Sequence, residues 1–215
     1  IAIGREAGRN NSGNGRIDVG YKSGYSNSSG SWNLNIGYFA AYSNTTGGKN
    51  TVIGTEAGLN NTGSSNTFLG YQAGYNQTSS PDNTFIGHLA GRNFNNTSGD
   101  GRNVAVGSNA GNDLTTGIYN TFLGYEAGGF NTNITTGNFN VMVGYQAAGS
   151  GASASNQNSF GYSAASTGNN QVTLGNSSIS ALRCAVTSIT SLSDERDKSE
   201  IEDLSYGLAF IDALQ

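Results

Sequence analysis

Apolar residues along this chain keep fixed distances from a recurring glycine. The anchors are Gly4, Gly20, Gly37, Gly54, Gly70, Gly87, Gly107, Gly124, Gly144, Gly161 and Gly175, eleven copies separated by 14 to 20 residues. The residue immediately before the anchor is apolar every time: Ile3, Val19, Ile36, Ile53, Leu69, Ile86, Val106, Leu123, Val143, Phe160 and Leu174. Three before it stand mostly β-branched or apolar residues, among them Ile17, Leu34, Thr51, Thr67, Thr84, Val104, Thr121 and Val141, with Asn158 the exception. Positions two apart share one face of a strand, so each copy predicts a short strand, and the regular period predicts a solenoid.

Three after the anchor every copy has Ala or Ser, from Ala7 and Ser23 through Ala73, Ala90 and Ala127 to Ser178. A site restricted to such small residues predicts a close-packing contact. The next position is Gly or Ala in the first ten copies, which fits a chain reversal or another close approach. The pattern therefore predicts a core lined by the residue before each anchor and by the small residue three after it. Polar loops such as Ser43-Asn44-Thr45-Thr46-Gly47-Gly48 separate the strands and absorb the longer spacings. Stacked about 4.8 Å apart, the coils predict a rod of roughly 50 Å. Each thin coil has few inward apolar side chains to set against the entropy of ordering its backbone, so an oligomer is expected.

Composition supports an ordered all-β repeat. With 33 Gly, 11% charged residues and abundant Asn, Ser and Thr, helices are poorly served. A net charge of −4 without a basic stripe argues against nucleic acid. No apolar run reaches the roughly 20 residues of a membrane span. No signal-peptide pattern opens the chain, which begins inside a repeat and reads as a segment of a longer protein. There is no Cys/His cluster for zinc, and acidic residues do not recur at the offsets of a calcium roll. No metal or cofactor is expected. His88 stands where other copies have Tyr21, Tyr38, Tyr71, Tyr125, Tyr145 or Tyr162 and reads as a repeat variant. These tyrosines predict a ladder that shields the coil edges or offers aromatic surface to sugars.

The unit Asn-x-x-(Ile/Val/Leu)-Gly-x-x-Ala-Gly, as in Asn66 to Gly74, resembles the head repeats of trimeric autotransporter adhesins and similar repeats in phage tail fibres. The resemblance covers residues 1–178 and implies a parallel β-roll with three chains around one axis. Residues 179–192 lose the glycines and read as an extended neck, with Val186, Ile189 and Leu192 buried among symmetry mates and Cys184 a small buried hydrophobe.

Composition then turns charged. Ser193-Asp194-Glu195-Arg196-x-Lys198-x-x-Ile201, followed by Gly207-Leu208, is similar to the opening of the C-terminal intramolecular chaperone domain of phage endosialidases and tail fibres. Ser205 to Leu214 can start a helix. That family trimerises its fibre and then releases itself by cutting the chain. By resemblance Ser193 is the catalytic serine, Lys198 its partner, and the bond after Ser193 the scissile one. A lysine neutralised by burial can take the proton of a serine hydroxyl.

These readings imply an all-β solenoid shaft (1–178), a neck (179–192) and the start of an α/β chaperone domain (193–215). The expected function is a structural, host-attachment segment of a homotrimeric tail fibre. Its location would be a virion fibre or another extracellular surface, and its receptor a glycan or protein. The alternatives are a bacterial trimeric adhesin head and, last, an ice-binding solenoid, whose Thr array is interrupted by Ile, Leu and Val.

Overall fold

Every copy of the repeat forms one short strand. A computed structural model describes residues 1–129 and 133–183. The strands are β1 (Ala2–Ile3), β2 (Ile17–Val19), β3 (Leu34–Ile36), β4 (Thr51–Ile53), β5 (Thr67–Leu69), β6 (Thr84–Ile86), β7 (Val104–Val106), β8 (Thr121–Leu123), β9 (Val141–Val143), β10 (Gln157–Phe160) and β11 (Gln171–Leu174). They make a single sheet in sequence order. Each strand pairs in parallel with the next, and equivalent positions face each other, as Thr67, Phe68 and Leu69 face Thr84, Phe85 and Ile86. The chain is a parallel β-solenoid, and Ile1–Ile179 form one compact unit. Among the described residues there is no helix.

The face assignment differs from the expectation. The buried strand residue is the middle one: Val52, Phe68, Phe85, Ala105, Phe122 and Met142 are fully buried. The residues before and three before the anchor share a face, as expected, but that face points out of the coil, with Leu69 at 43% and Leu123 at 46% exposure. The turns are the physical reason. The anchor glycine has a φ near +135° in most copies, and the residue two later is left-handed, as at Gln72 (φ 51) and Glu126 (φ 53). These bends carry the chain toward the middle residue's face, so the opposite wall closes on that side. The small residue three after the anchor does point inward: Ser23 and the equivalent alanines from Ala40 to Ala164 are fully buried.

Glycine is required at two places in the coil. A Cβ on Gly54 would lie 2.7 Å from the carbonyl carbon of Gly70 in the next coil, and its φ is +138°. A Cβ on Gly74 (φ +62) would lie 2.8 Å from the Phe68 ring. Neither the backbone angle nor the spacing admits a side chain there.

Asparagines four before the anchor form a buried ladder along the sheet's edge. In Asn33, Asn50, Asn66, Asn83, Asn103, Asn120 and Asn140 the side-chain oxygen accepts the backbone N–H of the equivalent residue one coil on. Most of their Nδ2 groups donate to a loop carbonyl of that next coil, as Asn50 does to Gly63 and Asn120 to Gly137. Each side chain thereby satisfies backbone groups that the turn leaves buried.

The core becomes polar at both ends. Asp18 and Asn35 take the place of the phenylalanines near the start. Near the end a hydroxyl chain joins Ser159, Ser166 and Thr173 at 2.9 and 3.0 Å.

Candidate functional site

The outward face of the sheet is the most extensive unusual surface. It has two columns of side chains. One runs Val19, Ile36, Ile53, Leu69, Ile86, Val106, Leu123, Val143 and Phe160; the other runs Ile17, Leu34, Thr51, Thr67, Thr84, Val104, Thr121 and Val141. No residue in either column is buried, and no charge interrupts them. Parallel sheets are normally covered on both faces; here the coil covers one face and leaves the other apolar and bare along its length.

The columns flanking this face are aromatic in patches. Immediately after the anchors, ring pairs stack along the rod: Tyr21 on Tyr38, Tyr71 on His88, and Tyr125, Tyr145 and Tyr162 in series, with centroids 5.2 to 5.5 Å apart. His88 occupies a tyrosine's place in this column. Near the start Lys22 lies within 6.0 Å of the ring centres of Tyr21, Tyr25, Phe39 and Tyr42, so a cation of the chain itself fills that aromatic cage.

The column five before the anchors escaped the sequence reading. Trp32, Lys49, Ser65, Asp82, Arg102, Tyr119, Phe139, Asn156 and Asn170 are all left-handed, with φ between 52 and 63°. A signal was present: none of them is β-branched, and β-branched residues avoid that conformation. Tyr119 and Phe139 stack at 5.2 Å with planes 3° apart, and Arg102 donates to the Tyr119 hydroxyl at 2.7 Å. Trp32, 66% exposed, lies over Gly15 and makes no ring stack among the described residues. It borders an open groove of about 340 Å³ lined also by Ser29, Ser31, Thr46, Lys49, Ser64 and Ser65.

One buried charge pair lies at the start of the core. Asp18 is 1% exposed, with Arg16 Nη2 at 3.8 Å, and its carboxylate accepts from Asn35 at 2.8 Å and Asn11 at 3.2 Å. Burial raises its pKa above the ordinary aspartate value, against the opposing pull of the Asn35 hydrogen bond and the Arg16 charge. Burial likewise lowers the pKa of Arg16.

Ser193 and Lys198, the residues expected to cut the chain, lie outside the described residues, as do Cys184, Val186, Ile189, Leu192 and the 205–214 segment. Among the described residues no group of three His, Cys, Asp or Glu side chains could hold a metal ion.

No protein-family model matches this chain, and comparisons with the curated proteins and the solved structures likewise find no match.

Proposed function

We propose that this chain is a structural and host-attachment segment of a homotrimeric fibre of the phage tail-fibre type. The observation that carries the reading is the bare apolar outer face of the parallel sheet. A sheet with one face packed by its own coil buries the other only against a second layer, and three copies around a common axis give each outer face such a layer. The columns run straight along the rod because strand pairing holds every coil in register, so parallel copies meet side chain against side chain over the full length. A bacterial trimeric adhesin head would assemble in the same way. In the fibre reading, the segment from Ser193 onward begins a chaperone domain that aligns the three chains and then cuts after Ser193, with Lys198 as proton acceptor.

The four threonines Thr51, Thr67, Thr84 and Thr121 also lie on the outer face, as an ice-binding surface requires. Leu34, Val104 and Val141 break their column, which favours packing against protein.

Sedimentation equilibrium tests the assembly, with the mass of three chains expected. Leu69→Asp combined with Leu123→Asp changes two outward side chains that a single coil leaves exposed, so the strand signal in circular dichroism persists. Burial of a carboxylate costs several kcal/mol, so the variant should associate at least ~100-fold more weakly. A stable, folded wild-type monomer would overturn the proposal.

A further inference from the structure

We infer that the groove beside Trp32 and Lys49 is a binding site for an acidic saccharide, which gives the attachment half of the proposed function a place and a ligand chemistry and rests on it. The aromatic columns elsewhere are poor sugar platforms. A pyranose stacks its C–H face on an open ring face, and Tyr125, Tyr145, Tyr119 and Phe139 have ring faces covered by one another. Trp32 differs. The indole rests on Gly15 in the coil below, where a Cβ would collide with the ring. In the next two coils its column continues as Lys49 and Ser65, which are not aromatic, and the groove opens there.

Several of the groove's polar groups have no partner among the described residues. The indole N–H makes no hydrogen bond, and the Lys49 ammonium has no acidic or hydrogen-bonding partner among the described residues. Among the described residues the hydroxyls of Ser29, Thr46 and Ser65 make no hydrogen bond, whereas Ser31 and Ser64 are tied to Asn14 and Gly48 backbone N–H groups at 3.1 Å. The floor is firm: backbone N–H groups of Trp32, Lys49 and Ser65 donate to Asn14, Ser31 and Gly48 carbonyls at 2.8 to 2.9 Å. An aromatic plane, several hydroxyls and the Lys49 ammonium suit a sugar ring bearing a carboxylate, with orientation set by a few polar groups and a charge-assisted bond to the ammonium. A second groove, along Asn109, Asp113 and Glu126, has two carboxylates and no aromatic plane among its lining residues, and would repel such a ligand.

Trp32 is the only tryptophan in the chain, so its fluorescence reports on this groove alone. The full chain, in whatever assembly it forms, is titrated with a short oligogalacturonate and, separately, with a neutral malto-oligosaccharide. A saturable change in indole emission with the acidic oligomer only is expected. Lys49→Gln should weaken it about 10-fold, the loss of one charge-assisted contact. Trp32→Asn, chosen because asparagine accepts the left-handed backbone, should abolish the heat of binding while the fold persists by circular dichroism.

Four results would overturn the inference: no response to either sugar, an equal response to both, an unchanged response in Lys49→Gln, or an indole shielded from acrylamide in the assembled protein. All groove residues belong to one chain. The titration therefore reads the site whatever the number of chains, whereas sedimentation separately reads the assembly.

Discussion

Asp18 shows how a single residue tunes this rod. It holds the core position that Phe68, Phe85 and Phe122 fill further along, and its carboxyl is buried with a raised pKa. A group whose folded value is raised contributes its stability fully below its unfolded pKa, near ~3.9, and loses it as pH rises through the raised value. Thermal melts should therefore show Asp18→Asn more stable than the parent at neutral pH, with the difference closing toward about pH 4. Asparagine keeps an oxygen for Asn35 Nδ2 and removes the buried charge. A variant less stable at neutral pH would mean that the Arg16 pair outweighs the desolvation of Asp18.

At the scale of the element, the strands are too short to hold themselves. A three-residue strand offers few ladder hydrogen bonds, and the asparagine ladder extends the pairing by one position in each coil. Asn103 is representative: its oxygen accepts from the Asn120 N–H at 3.0 Å, and its Nδ2 donates to the Gly117 carbonyl at 3.0 Å. Asn103→Ala strands both groups in the interior. At roughly 1–3 kcal/mol for each buried unsatisfied group, a loss of about 2–6 kcal/mol in chemical denaturation is expected for the two. A change below ~0.5 kcal/mol would place the ladder among incidental contacts. The asparagine was visible in the sequence as part of the repeat unit, but its role was not. Nothing in residue order shows that its two amide atoms bracket a backbone N–H and a loop carbonyl of the neighbouring coil.

For the whole molecule, the outer face and the charged segment after residue 192 lead to one expectation about maturation. If chaperone-type processing follows assembly, the protein expressed whole yields a product ending at Ser193. Ser193→Ala and Lys198→Ala should each leave it uncut while the mass by sedimentation stays that of three chains. Intact-mass measurement decides the point: an uncut wild-type product excludes self-processing, and equal cleavage in the variants excludes this serine–lysine pair. Cutting and assembly are thereby separable, since neither substitution changes a residue of the outer columns.

The period, the eleven strands, the parallel stacking and the inward small residue three after nine of the eleven anchors were all legible in the residue order; Ala7 and Ser178, at the two ends, are not buried. Each rests on a spacing that the backbone must repeat, and on a residue type, Gly or Ala, that few other environments demand. The side of the strand that faces the core was not legible. A strand's two faces differ by a shift of one residue, and the more uniformly apolar set, Ile3 through Leu174, was the natural choice for the interior. The true inward set runs from Asp18 and Asn35 through Phe68, Phe85 and Phe122 to Ser159, and its polar ends disguise it as a solvent face. Only the tertiary structure decided the matter, because the inward face is set by the direction in which the left-handed turns fold the coil, and that direction depends on several residues acting at once.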